Sequence, residues 1–177
     1  MYHDEIGIRR YTTEQLNHLE RMPVTVVADN IRSHYNVGSI FRTSDGARIQ
    51  KLYLTGFTPY PPRPEIEKTA LGATGTVPWE YRKETIDVIS SLKELKATIC
   101  VLEHTDKSIP YFELASDQFP LCLLIGNELT GVSQAAVGAA DVAIDIPMYG
   151  MKQSLNVAVA YGIVVFDLAR KWTQKVG

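Results

Sequence analysis

Three short stretches of this chain place amides, a carboxylate, a hydroxyl, arginines and glycines where extended segments should end. The first runs Asn30-Ile31-Arg32-Ser33-His34-Tyr35-Asn36-Val37-Gly38-Ser39-Ile40-Phe41-Arg42. The second is Ile125-Gly126-Asn127-Glu128-Leu129-Thr130-Gly131. The third is Ile146-Pro147-Met148-Tyr149-Gly150-Met151-Lys152-Gln153-Ser154-Leu155-Asn156. The loop of the third stretch, rich in Pro, Met and Gly, offers free backbone amides and carbonyls beside an apolar slot, which suits a purine nucleoside. A helix opening on Ser154, with Asn156 in its first turn, would add a hydroxyl, an amide and unpaired N–H groups. Asn36 and Arg42 lie under two turns apart on one expected helix, with Arg42 expected to be partly buried beside its apolar neighbours Ile40 and Phe41. Gly38 permits close approach by a ligand or by backbone. Each stretch also has a plainer reading: Ser154 or Asn36 as a helix cap, Thr130 or Ser133 capping a short helix, Arg42 as a surface arginine.

The elements that must position these groups are legible from periodicity. Short β-branched or apolar runs recur at Val24–Ala28, Lys51–Thr55, Val77–Tyr81, Thr98–Glu103, Leu121–Gly126 and Val142–Ile146. Helical spacing fills most of the gaps. Ile86, Ile89, Leu92 and Leu95 repeat along one face of Glu84–Lys96, and Val37–Arg48, Ser154–Lys171 and Thr12–Met22 also read as helices, the last with Leu16 and Leu19 inward. Strands alternating with helices imply an α/β fold: a single domain with a mostly parallel six-stranded sheet and flanking helices. Ligands in such sheets bind at the carboxyl ends of strands, and all three polar stretches occupy such ends. Pro59 to Pro64 forms a stiff loop, a lid or a rim. The helix from Leu155 to Ala169 is apolar nearly all round, so it needs cover on more than one side. The sheet takes one face and a second copy the other, which predicts a homodimer.

Bulk properties narrow the classes. At 177 residues the chain fits one domain, and 45% hydrophobic with 21% charged residues is ordinary for a soluble globular protein. Its longest apolar run, Val157 to Phe166, falls well short of the ~20 residues that span a bilayer. The N-terminal residues Met1 to Glu5 lack the basic and apolar regions of a signal peptide. Cys100 and Cys122 sit in apolar runs and read as buried free thiols, so a cytoplasmic location is expected. The net charge of −2 argues against broad nonspecific nucleic-acid binding, yet Arg32, Arg42, Arg48, Lys51 and Arg63 face only Asp45 over residues 30 to 63. That local excess is compatible with RNA contact. His3, His18, His34 and His104 show no ligand spacing with the cysteines, so no metal is expected.

The three stretches resemble, in order and spacing, motifs 1, 2 and 3 of the SpoU (TrmH-like) RNA 2′-O-ribose methyltransferases, part of the SPOUT class. The likeness runs from about Val24 to Leu168 and takes in Glu67 to Ala73 and Val77-Pro78-Trp79. It divides the chain into an N-terminal helical extension, 1–23, and a methyltransferase domain, 24–177. The resemblance implies a C-terminal trefoil knot, which pattern reasoning alone would argue against, and catalytic sites at a dimer interface. It implies S-adenosylmethionine as cofactor, held by Leu124, Ile125, Gly126, Asn127, Ile146, Met148, Ser154 and Leu155. It makes Arg42 the key residue at the ribose hydroxyl, with Asn36, Glu128, Ser154 and Asn156 as positioning groups and Arg32, His34 and Arg42 on the RNA. Arginine normally stays protonated, so two roles stand open: an RNA phosphate helps Arg42 accept the proton, or Arg42 orients that phosphate and another group takes the proton. The expected substrate is tRNA, with rRNA as the alternative; a base-methylating knotted enzyme and a non-catalytic RNA- or nucleoside-binding protein are the competing readings.

Overall fold

The computed structural model describes residues 20–176. The helix expected over Thr12–Met22 and most of the 1–23 extension, Leu16 and Leu19 included, lie outside the described residues. Met22 is not helical: it opens strand β1 (Met22–Asp29), whose side chains are almost all buried.

Among the described residues, seven strands form one sheet. After β1 come β2 (Ile49–Thr55), β3 (Trp79–Arg82), β4 (Thr98–Leu102), β5 (Ile109–Pro110), β6 (Leu121–Ile125) and β7 (Val142–Asp145), in the order β3-β2-β1-β6-β4-β7-β5. Every pairing is parallel. The sequence reading expected six strands; the seventh, β5, is two residues long and pairs only with β7. A segment so short, half of it proline, carries no alternation that a pattern search could detect.

Among the described residues, five α-helices cover the sheet: α1 (His34–Ala47), α2 (Pro64–Ala70), α3 (Thr85–Glu94), α4 (Gln134–Gly138) and α5 (Val157–Val176). Because strand side chains alternate between faces, β1 sends Val24, Val26 and Ala28 toward one core and Val27 toward the other. The larger core packs under α1, α2 and α5, with Phe41, Ile66, Tyr161 and Val165 fully buried. The smaller packs under α3 and α4, with Val88, Ile89 and Ala136. The helix pair α1 and α2 approaches closely at Gly38, where a Cβ would fall 2.3 Å from the carbonyl oxygen of Ile66. Of the two readings of Gly38, the structure selects backbone approach. Cys100 and Cys122 are free and buried, and burial pushes both thiols up to about 12. Among the described residues, no helix is long and apolar enough to cross a membrane.

Helix α5 begins at Val157, three residues after the expected Ser154. The reason is local: the Asn156 side-chain oxygen accepts from Ala158 N at 2.9 Å and Val159 N at 3.4 Å, so Asn156 rather than Ser154 supplies the cap. Asn36 in turn is not a cap. Ser33 holds that position on α1, accepting from Asn36 N at 3.3 Å.

Candidate functional site

Three loops after strand ends meet at one edge of the sheet. The segment after β1 carries Arg32, Ser33 and Asn36; the segment after β6 carries Gly126 to Gly131; the long loop after β7 carries Ile146 to Asn156. The expectation that the three polar stretches converge holds in atomic detail. Asn156 Nδ2 donates to Asn36 Oδ1 at 3.1 Å, and Asn36 Nδ2 donates to Glu128 Oε1 at 2.7 Å. Glu128 Oε2 also accepts from Arg32 N at 3.0 Å, and Oε1 from Ser33 N at 3.3 Å. The chain of bonds has a direction: it starts at the first amides of α5 and ends on a carboxylate. Burial alone would raise the Glu128 carboxyl; the bonds from Arg32 N, the Asn36 side chain and Ser33 N outweigh it and hold the group below the usual carboxylate range.

Beside this network lies a cleft of about 590 Å³. Ile125, Gly126 and Asn127 line one side, and Ile146, Met148, Ser154 and Leu155 line the other, with Glu128 at the rim. Of the residues expected to hold a nucleoside cofactor, Leu124 alone does not line the cleft. It is fully buried among Val27, Val101 and Val132 on the α3–α4 face, because its neighbour Ile125 takes the cleft-side position. Gly126 is needed by the protein itself: a Cβ there would lie 2.2 Å from Val132 N, where the 127–131 turn folds back. Asn127, 7% exposed, organises that turn. Its Oδ1 accepts from Leu129 N and Thr130 N, and its Nδ2 donates to Asn30 O at 2.7 Å, tying the β6 loop to the β1 loop.

Arg42 departs from its expected environment. It is exposed rather than partly buried, and no hydrogen bond or ion pair joins it to a described residue. Ile40 and Phe41 turn into the core and leave position 42 outward, as helical geometry requires. Arg32 is likewise exposed, and His34 is half-buried as the first residue of α1. Ser154 is exposed on the cleft wall.

Sequence reasoning missed four groups that line the cleft: Glu103, His104, Asp145 and Gln153. His104 Nδ1 lies 3.0 Å from Asp145 Oδ2, which also accepts from Ser108 Oγ at 2.8 Å. A signal for Glu103 was present, since it directly follows an apolar strand, but nothing in the sequence showed that β4 sits between β6 and β7.

The cleft accommodates a nucleoside-bearing cofactor on the chemistry of its lining. Backbone groups of the β6 and β7 loops, apolar walls from Ile125, Ile146, Met148 and Leu155, and polar side chains from three strand ends surround a volume of drug-sized ligand scale.

Comparison with known proteins agrees. The SpoU rRNA Methylase family matches residues 23–166. The tRNA (guanosine(18)-2′-O)-methyltransferase of Aquifex aeolicus is 34% identical over 154 residues, covering 85% of this chain and 70% of that protein. The crystal structure of the A. aeolicus TrmH/SpoU tRNA modifying enzyme superposes with a TM-score of 0.80 at 31% identity, over 88% of this chain and 78% of that one. The AdoMet-bound rRNA methyltransferase from Sinorhizobium meliloti gives 0.79 at 28% identity, over 92% and 61%. The chain covers 63% of the length of the tRNA (guanosine(18)-2′-O)-methyltransferase of Escherichia coli and 82% of that of Thermus thermophilus.

Proposed function

The chain belongs to the SpoU rRNA Methylase family, and from that premise we propose that it methylates a ribose 2′-hydroxyl of RNA with S-adenosylmethionine, in tRNA. The observation that carries the proposal is the hydrogen-bonded chain Asn156–Asn36–Glu128 at the mouth of the 590 Å³ cleft. The A. aeolicus relative named for guanosine 18 of tRNA supports the choice of tRNA and makes that nucleotide the first to assay. The S. meliloti rRNA enzyme keeps rRNA as the second substrate to test.

S-adenosylmethionine supplies a methyl group already activated by its sulfonium centre. The residues that would hold it are Ile125, Gly126, Asn127, Ile146, Met148, Ser154 and Leu155. The protein's own tasks are then alignment, exclusion of water and management of the hydroxyl proton. Arg42 is the group assigned to the ribose hydroxyl and its neighbouring phosphate. Its exposure, with no partner among the described residues, leaves its five donors available to RNA. Glu128 fixes the Arg32–Ser33 backbone from which α1 starts, and Asn36 and Asn156 couple that start to α5. Arg32 and His34 extend the RNA-facing surface.

The active unit is a homodimer. Val159, Ile163 and Phe166, at helical spacing on α5, are 52%, 36% and 52% exposed in the single chain and form an exposed apolar stripe. The C-terminal segment forms the trefoil knot of this family, and the protein works in the cytoplasm.

The test uses purified protein, labelled S-adenosylmethionine and tRNA from a strain lacking the gene, followed by alkaline digestion. Label in alkali-resistant dinucleotides establishes ribose methylation, because a 2′-O-methyl blocks cleavage at the adjacent phosphate. Label in mononucleotides would instead mean base methylation and overturn the assignment.

A further inference from the structure

The strand order β6-β4-β7 sets the carboxyl end of β4 in the middle of the cleft, between Ile125–Gly126 and Asp145–Ile146. The side chain at that end is Glu103, half-buried, with its own backbone N–H bonded to Ile144 O at 3.0 Å. Its carboxylate is held by two backbone amides: Oε2 accepts from Val132 N at 3.0 Å and Oε1 from His104 N at 3.2 Å. A carboxylate offers about four acceptor positions, so each oxygen keeps capacity for another donor. The protein also makes room for it. A Cβ on Gly131 would fall 2.2 Å from Glu103 Oε2, and Gly131 adopts a φ of +70° that favours glycine.

The other carboxylates of the cleft lie at its edges and bond neighbouring loops. Glu128 is bonded by Arg32, Ser33 and Asn36 at the rim, and Asp145 by His104 and Ser108 at the far edge. Glu103 is the central carboxylate, oriented by backbone and given no part in the transfer described above.

We propose that Glu103 is the ribose-recognition residue of the cleft, accepting the two hydroxyls of the cofactor's ribose diol, one on each carboxylate oxygen. A vicinal diol presents two adjacent O–H donors, and a carboxylate is an acceptor-only group with two oxygens to meet them. Such charge-assisted O–H···O bonds are short and about twice as strong as neutral ones. The inference deepens the reading of this cleft as the S-adenosylmethionine site and rests on it.

The experiment measures binding of S-adenosylhomocysteine and of its 2′,3′-dideoxy analogue to the full chain by calorimetry. Wild-type protein is expected to bind the ribose form at least ~10-fold more tightly than the dideoxy form. In Glu103→Ala that ratio should collapse to less than about 3-fold. If Glu103→Ala fails to fold, Glu103→Gln keeps one acceptor for Val132 N, and there the ratio should fall at least ~3-fold below wild type. A purely structural role would weaken both ligands equally and leave the ratio intact, which would overturn the proposal. So would a wild-type protein that binds both forms alike. Failure of the wild-type chain to bind S-adenosylhomocysteine at all would instead remove the cofactor reading, and this inference with it.

Discussion

Two acidic hubs sit after strand ends of the same sheet, and they differ in what surrounds them. Asp29, at the end of β1, is 1% exposed. It accepts from Thr85 Oγ1 at 2.6 Å, Asn30 Nδ2 at 2.9 Å and Ser133 N at 2.9 Å, joining β1 to the starts of α3 and α4. Thr85 is bonded in turn to buried Thr55 at 2.7 Å. Glu128 is exposed and lines the rim of the large cleft, bonded to Asn36, which in turn accepts from Asn156. The two hubs use the same bond types. Where water is excluded, every donor must find a partner within the protein, and the network becomes structural. Where water and ligand can enter, the same groups keep spare capacity that a substrate can use.

That contrast is open to direct attack. Asp29→Ala leaves three donors without their acceptor, two of them anchoring helix starts. It should cost on the order of 3 kcal/mol of stability, lowering the melting temperature by roughly 6–12 °C. Turnover measured well below that transition should stay within a few-fold of wild type; a stable but inactive variant would mean that the buried hub also serves chemistry. Arg42→Ala should show the reverse: methyl transfer down at least ~100-fold, with melting and cofactor binding little changed. Activity near wild type would remove Arg42 from the reaction.

Glu128→Gln should lower turnover by about 10-fold while stability shifts by under ~1 kcal/mol. Its pH dependence sharpens the point. The folded-state carboxyl is depressed, so the stability Glu128 adds is fully present above its unfolded value of ~4.3 and is lost as pH falls through the lower folded value. Urea titrations between pH 3 and 7 should therefore show wild type and Glu128→Gln differing by a constant amount above about pH 5 and converging in acid. Divergence on acidification would contradict the geometry. Asn36→Ala should likewise reduce turnover more than stability, since Ser33 holds the cap. Ser33→Ala is the smallest change, expected to cost about 1 kcal/mol in a thermal melt with modest loss of rate.

Much of this architecture was readable from the residues. The runs Val24–Ala28, Lys51–Thr55, Thr98–Glu103, Leu121–Gly126 and Val142–Ile146 each overlap an observed strand, because burial between two helical layers demands continuous apolar segments. The three polar stretches were located correctly at strand ends. Side-chain direction was a different matter. Adjacency in the sequence suggests a shared role for Leu124 and Ile125, yet the two face opposite layers, and the apolar neighbours of Arg42 point away from it into the core. Helix starts shifted too, as Asn156 capped α5 in place of Ser154, since several polar residues in a row can each serve and tertiary contacts choose among them.

What the sequence determined by itself was local: period-two and helical patterns, apolar runs, and the polar residues that interrupt them. Those follow from the chain's own geometry and need no knowledge of neighbours. Only the tertiary structure decided that β4 lies between β6 and β7, so that Glu103 stands at the centre of the cleft, and that Asn36, Glu128 and Asn156, separated by 92 and 120 residues along the chain from Asn36, share one hydrogen-bonded line. Strand order is a property of nonlocal pairing: each parallel crossover can place its next strand on either side, and the choice is settled by which helices and loops pack together rather than by the strand's own residues.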